Sequence, residues 1–419
     1  MDTSATLPFE IEISSNDENV TEISQHALLG DDPNAQIPPH ECEGIRCVCW
    51  PCIVVSAGIY VGCCCCLRQK RYQPMNRMFE IAVTILRAGA HNCGRCFCTL
   101  RLITDSPIGI VPSWLPTLPK VNVSTNKTAP GGGEWVWPPP DDGKSLPVCH
   151  RYLPYESDLP DDPQQLENLG NPERVILYLH GGGFVLCSSK THRSLLMMLS
   201  DCTGATILSP NYRRPPEHPW PVPVEDCVAS YRWLIEVGKL DPSKIVFAGD
   251  SAGGGLVVAT MAKAREEGLP LPAGGIMWSP WLDLTDSFSG TWTTNQDTDF
   301  LPRDWAYKFS MAYAGGKDRL AEASPGNVNL EGLPPLLVEV GDAECLRDSA
   351  LVWVERAKAA GVDVEAVVSD GMVHVFPLFA IFANKDLPPH QSYERAASFV
   401  DKVLGVCSDS ESLTSGELV

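Results

Sequence analysis

The sequence predicts an α/β fold, a mostly parallel sheet with helices on both faces. Three observations carry this. Short apolar, β-branched runs alternate with helix-length segments from Arg174 onward. One run, Lys244-Ile245-Val246-Phe247-Ala248, leads directly into Gly249-Asp250-Ser251-Ala252-Gly253 and then into a helical stretch over 254–264. Another, Val175-Ile176-Leu177-Tyr178-Leu179, ends at His180-Gly181-Gly182-Gly183. Strand, sharp turn and helix around G-x-S-x-G form the setting in which a serine hydroxyl is presented from a strained turn.

Composition limits what the chain can be. Its 419 residues allow one large domain with appendages, or two domains, and 44% hydrophobic residues suffice for a buried core. The formal net charge of −20 argues against a general nucleic-acid binder. Charge is unevenly placed: residues 1–45 hold ten acidic groups and no Lys or Arg, whereas 46–101 hold eight basic groups and Glu80 alone as an acid. Eleven of the 17 cysteines precede residue 99. The later ones, among them Cys187, Cys202 and Cys227, are scattered and read as small core residues without a disulfide framework.

In chain order, residues 1–45 form an acidic tail without apolar period, expected to be disordered, and lack the features of a signal peptide. Residues 46–72 form a Cys-rich membrane segment, of which 47–67 run for 21 residues without a charge, enough to span a bilayer as a helix. Arg68, Lys70 and Arg71 follow, which places the C-terminal side in the cytosol by the positive-inside rule. The four cysteines 63–66 beside these cations also fit S-palmitoylation of a membrane-lying segment. Metal binding by these cysteines, or by His91, Cys93, Cys96 and Cys98, is the lesser alternative, since no paired zinc-type cluster accompanies them. Residues 73–172 read as a cap or membrane-proximal region. Within it an amphipathic helix is expected over 74–90, and Pro/Gly/Asp-rich irregular structure with an edge hairpin over 104–172. Asn122-Val123-Ser124 and Asn126-Lys127-Thr128 are glycosylation sequons that would matter only in a lumen.

Residues 173–405 form the expected catalytic domain. Its strands, read as buried runs, are 175–179, 205–208, 244–248, 275–278, 336–340 and 364–368. Its helices are 223–237, 252–267, 345–360 and 390–404. Residues 406–419 are a second acidic tail.

A serine hydroxyl needs a base, and the base an orienting acid. On this architecture the chain order is Ser, acid, His. Two histidines follow Ser251, and His374, in the loop after the sixth strand, is preferred over His390, which opens a helix as a solvated cap. The acid belongs after the fifth strand, where Asp342, Glu344 and Asp348 all stand and spacing does not choose between them. The glycines after His180 leave backbone N–H groups free to converge, so Gly181, Gly182 and Ala252 are the expected oxyanion donors. No phosphate-loop pattern, cofactor motif or catalytic metal set is present in this domain.

The His-Gly-Gly-Gly block and the Gly-Asp-Ser-Ala-Gly-Gly elbow resemble the hormone-sensitive-lipase family of α/β-hydrolases. So do Tyr212-Arg213-Arg214-Pro215-Pro216-Glu217-His218-Pro219 with Pro221 and Asp226, Ser279-Pro280-Trp281-Leu282-Asp283-Leu284, and Leu333-Pro334-Pro335. The resemblance spans roughly 174–404 and implies an α/β-hydrolase fold with a cap region. It implies a serine carboxylesterase or lipid-ester deacylase acting on small apolar esters, without cofactor, and similar to arylacetamide-deacetylase-like membrane enzymes. The family's Asp-x-Leu-x-Asp block falls on Glu344-Cys345-Leu346-Arg347-Asp348, which puts Glu344 at the acid, with Asp342 as runner-up and Asp348 as a structural acid. A cap from 68–172 and 285–320 is implied, with Trp278, Trp281, Phe288 and Trp292 lining the pocket or filling the core. A ligand receptor on the same fold is the alternative, disfavoured because all three triad members are present. The expected location is a membrane, that of the endoplasmic reticulum, in contact with its lipid and with the catalytic domain on the cytosolic side.

Overall fold

The computed structural model describes residues 122–125, 132–137, 172–285 and 290–405. They form an eight-stranded sheet in the order β1-β2-β4-β3-β5-β6-β7-β8. The strands are β1 (Asn122–Thr125), β2 (Glu134–Trp137), β3 (Val175–Leu179), β4 (Thr206–Ser209), β5 (Ile245–Asp250), β6 (Gly274–Trp278), β7 (Leu336–Gly341) and β8 (Val364–Ser369). The hairpin β1-β2 joins β4 antiparallel, and all pairings from β4 through β3 to β8 are parallel. The helices are α1 (Arg193–Thr203), α2 (Val222–Glu236), α3 (Ala252–Glu266), α4 (Thr291–Thr294), α5 (Arg303–Ala314), α6 (Leu320–Ala323), α7 (Arg347–Ala359) and α8 (Pro388–Val403).

Successive strand side chains point to opposite faces, and here both faces are covered. On one face Val175, Leu177 and Leu179 share a buried cluster with Phe247 and with Tyr231 of α2, Leu256 of α3 and Trp353 of α7. On the other face Ile176 and Tyr178 share a buried cluster with Val246 and Trp278, with Leu196 and Leu199 of α1, and with Phe399 of α8. That two-sided burial is why β3 and β5 read as uninterrupted apolar runs.

The six expected strands and four expected helices all form, with ends shifted by one or two residues. Two expectations are corrected. Among the described residues β8, the sixth expected strand, pairs only with β7, and of its residues Ser369 alone is buried, so it is an edge strand rather than a buried one. The hairpin expected within 104–172 forms at 122–125 and 134–137 and extends the sheet beside β4. The helix expected from 345 begins at Arg347, because the preceding residues are held as a loop by side chains from elsewhere. Helices α1 and α5 were not expected. The run Leu195-Leu196-Met197-Met198-Leu199 in α1 is buried throughout, and Asp201 and Cys202 in its last turn are exposed.

Among the described residues no helix is long and apolar enough to cross a membrane. The 47–67 stretch, the 74–90 helix, the early cysteines and both tails lie outside the described residues.

Candidate active site

The serine stands where β5 becomes α3. Ser251 has φ 53° and ψ −121°, a conformation L-residues rarely adopt, between the last strand residue and the first helical one. Backbone bonds hold it there: its N–H donates to Trp278 O (2.8 Å), and its carbonyl accepts from Trp281 N (2.8 Å) and Gly255 N (3.2 Å). The turn also needs Gly253, where a Cβ would lie 1.9 Å from Leu179 O.

His374 reaches the elbow from the loop after β8. Its Nε2 lies 2.9 Å from Ser251 Oγ. Its Nδ1 faces Glu344 Oε1 at 3.9 Å, and neither atom has a hydrogen-bond partner. This is an ion-pair distance, longer than a hydrogen bond. The other oxygen of Glu344 is firmly held, accepting from Ser279 Oγ (2.5 Å) and Gly341 N (2.9 Å). Ser279 Oγ also accepts from Val375 N at 2.9 Å, so one hydroxyl ties the acid to the loop carrying His374. Burial alone would lower the His374 pKa, but the carboxylates of Glu344, Asp299 and Asp250 outweigh it and hold it above the ordinary histidine value.

The competing candidates sit elsewhere. Asp342 is paired with Arg347 at 2.9 Å and its side chain is 45% exposed. Asp348 accepts from Thr291 N (3.1 Å) and Arg347 Nε (3.1 Å), pinning α7 to α4. His390 is not a cap; it lies in the first turn of α8 with Nε2 3.2 Å from Ala383 O. Trp278 is a core side chain on the face covered by α1 and α8, packed on Tyr178 and Tyr393. Trp281 and Trp292 are buried in the other core. Phe288 lies outside the described residues.

One oxyanion donor is corrected. The Gly181 N–H donates to Asp250 Oδ1 at 3.0 Å, so it is not free for an oxyanion. A Cβ on Gly181 would lie 2.1 Å from Asp250 Oδ2, which is what glycine secures here. Gly182 and Gly183, at φ 105° and 60°, turn the chain after it. Among the described contacts the N–H groups of Gly182, Gly183 and Ala252 meet no protein acceptor.

Beneath the glycine loop lies a buried polar network that sequence reasoning missed. Asp250 Oδ1 also accepts from Tyr178 OH (2.7 Å), and His192 Nε2 stands 3.3 Å from both carboxylate oxygens. Burial would raise the Asp250 pKa, but His192 and the hydrogen bonds hold it below the ordinary carboxylate value. The same pairing raises His192 against the pull of burial. His180, by contrast, is driven down to about 3, chiefly by burial and then by the His192 charge, and is neutral. It stacks on Tyr212 (4.3 Å), whose hydroxyl donates to His180 O (2.8 Å). Arg213 forks onto Asp226 (2.7 and 2.9 Å), fixing the segment that carries Tyr212. The Tyr212–Asp226 block is thus the brace of the glycine loop.

The segment between β6 and β7 closes against this site. Phe300 lies 5.8 Å from the His374 ring, and Tyr313 of α5 stacks on Phe184 at 3.8 Å.

A serine on a strand-to-helix elbow, a histidine within reach and a buried carboxylate behind it define a nucleophile-elbow hydrolase. Comparison with known proteins agrees. A family model described as the alpha/beta hydrolase fold matches residues 176–378. An acetyl-hydrolase of Streptomyces hygroscopicus is 42% identical over 204 residues, 48% of this chain and 68% of that protein. A carboxylesterase of Mycobacterium tuberculosis is 35% identical over 217 residues, 49% of this chain and 67% of that protein. The crystal structure of an esterase from the bacterial hormone-sensitive lipase family superposes with a TM-score of 0.64 at 34% identity, covering 79% of this chain and 99% of the other. The chain belongs to the hormone-sensitive-lipase family of α/β-hydrolases.

Proposed function

We propose that the protein is a serine carboxylesterase that hydrolyses small apolar esters through an acyl-enzyme on Ser251. The 2.9 Å contact between His374 Nε2 and Ser251 Oγ, with Glu344 behind the ring, is the observation that supports this most directly. His374 takes the hydroxyl proton as Ser251 Oγ bonds to the carbonyl carbon. The resulting oxyanion sits at the N–H groups of Gly182, Gly183 and Ala252, with Gly183 in the place first expected for Gly181. The carbon–oxygen bond to the alcohol breaks, and the leaving oxygen takes the proton from His374. A water then gives a proton to His374 as its oxygen bonds to the acyl carbon; the bond from that carbon to Ser251 Oγ breaks, Oγ takes the proton back from His374, and the acid leaves. Glu344 orients the imidazole and stabilises the imidazolium formed in each half. The test is turnover of p-nitrophenyl acetate, butyrate and octanoate by folded protein. Turnover of at least one supports an esterase, and turnover of none points to a ligand receptor on this fold.

Attachment to a membrane is the second half of the proposal. The uncharged stretch 47–67, followed by Arg68, Lys70 and Arg71, supports either a single span or an acylated cysteine run in the endoplasmic reticulum, with the hydrolase cytosolic. The full chain is expected to sediment with membranes and resist carbonate extraction, and a chain truncated before residue 72 to be released. A glycosidase-sensitive mobility shift abolished by Asn122→Gln with Asn126→Gln would place the hydrolase in the lumen instead.

A further inference from the structure

Outside the triad, one buried carboxylate touches both catalytic loops. Asp299, from the segment between α4 and α5, is 0% exposed. Its Oδ2 accepts from Cys345 N at 2.8 Å, the residue after Glu344. Its Oδ1 accepts from His374 N at 3.2 Å and from Phe300 N at 2.8 Å. A buried carboxylate is costly unless such donors satisfy it. All three contacts are N–H donors, so the ionised form fits them and a carboxyl proton would have no acceptor there. Burial pushes the Asp299 carboxyl up from its ordinary value, and Glu344 adds to this, while His374 and the N–H donors oppose it.

The same segment grips the acid loop residue by residue. Asn295 Nδ2 donates to Asp342 O (3.1 Å) and Glu344 O (2.9 Å). Thr298 Oγ1 reaches Ala343 O (3.1 Å), and Thr291 Oγ1 donates to Cys345 O (2.8 Å). The 3.9 Å separation of Glu344 and His374 is set by no bond of its own. It therefore depends on how these two backbones are held.

We propose that Asp299 is a positioning residue for this reaction: it locks the acid loop and the histidine loop together and gives His374 an anionic neighbour besides Glu344. The proposal rests on the triad reading above. Three carboxylates then act on His374: Glu344 from the loop after β7, Asp299 from the segment before α5, and Asp250 from the elbow. Their charge raises the pH below which His374 is protonated and cannot accept the serine proton.

The test compares pH profiles of kcat and KM for p-nitrophenyl butyrate in the wild type, Asp299→Asn and Asn295→Ala, with thermal melts of each. An asparagine keeps one acceptor but sets an N–H₂ against an N–H donor, and it removes the charge. For Asp299→Asn the acid limb of kcat/KM should move to lower pH by roughly half a unit or more. Its kcat should fall about 10-fold or more with KM little changed. Asn295→Ala loosens the loop but keeps the charge, so its kcat should fall with the acid limb in place. An unmoved limb in Asp299→Asn, or full kcat at optimum in both variants, overturns the proposal. If Asp299→Asn does not fold, Asn295→Ala decides alone, and wild-type kcat in it overturns the clamp. A wild type that turns over no ester fails the triad reading instead, so the two failures are distinct.

Discussion

Ser251→Ala is expected to fold as the wild type does and to lose about 10³-fold or more in kcat toward p-nitrophenyl esters. Alanine removes only the Oγ that lies 2.9 Å from His374 Nε2. The elbow itself is built by backbone bonds to Trp278, Trp281 and Gly255, which the substitution leaves in place. The positive φ of 53° is already carried by a residue with a Cβ, so no new strain is introduced. Circular dichroism and a thermal melt establish the fold, and initial rates establish the loss. Activity within a few-fold of wild type would remove Ser251 from the mechanism.

The second large effect separates the two acids. Glu344→Gln should lower kcat by about 100-fold or more, since the neutral amide no longer orients the imidazole or stabilises its protonated form. Asp342→Asn should cost little, because it breaks only a half-exposed pair with Arg347. Parallel kcat measurements on the two variants check this, and the reverse order would transfer the role to Asp342. The longer reach of a glutamate explains the geometry here. Its Oε2 is bound by Ser279 and Gly341 while Oε1 faces the ring, so one side chain is anchored and still turned toward the imidazole.

The elbow was legible because everything that builds it is local: an apolar strand, a glycine-flanked serine and a helix in one stretch of chain. His374 was legible from order alone, being the histidine in the loop after the last strand. The acid was not, since Asp342, Glu344 and Asp348 are equivalent by spacing and only the resemblance favoured Glu344. Burial separates them: Glu344 points inward, while Asp342 and Asp348 both meet Arg347 at the surface.

The donors of the glycine loop were harder still. Which N–H faces outward depends on φ at Gly182 and Gly183 and on Asp250 capturing Gly181, and none of this is a sequence pattern. Asp299 was missed for a related reason. In Asn295-Gln296-Asp297-Thr298-Asp299 it reads as one polar residue of a surface loop. Its partners, Cys345 and His374, are 46 and 75 residues away. The burial of β8 failed because its residues have strand composition, whereas its position at the sheet edge is a property of topology.

The central claim is that Ser251 carries the acyl group. Covalent labelling by a fluorophosphonate, followed by peptide mass spectrometry, measures this directly. One equivalent of label on Ser251, absent in Ser251→Ala and blocked by prior reaction with a substrate ester, is the predicted result. Label on any other serine, or an unlabelled protein that still turns over esters, would contradict it.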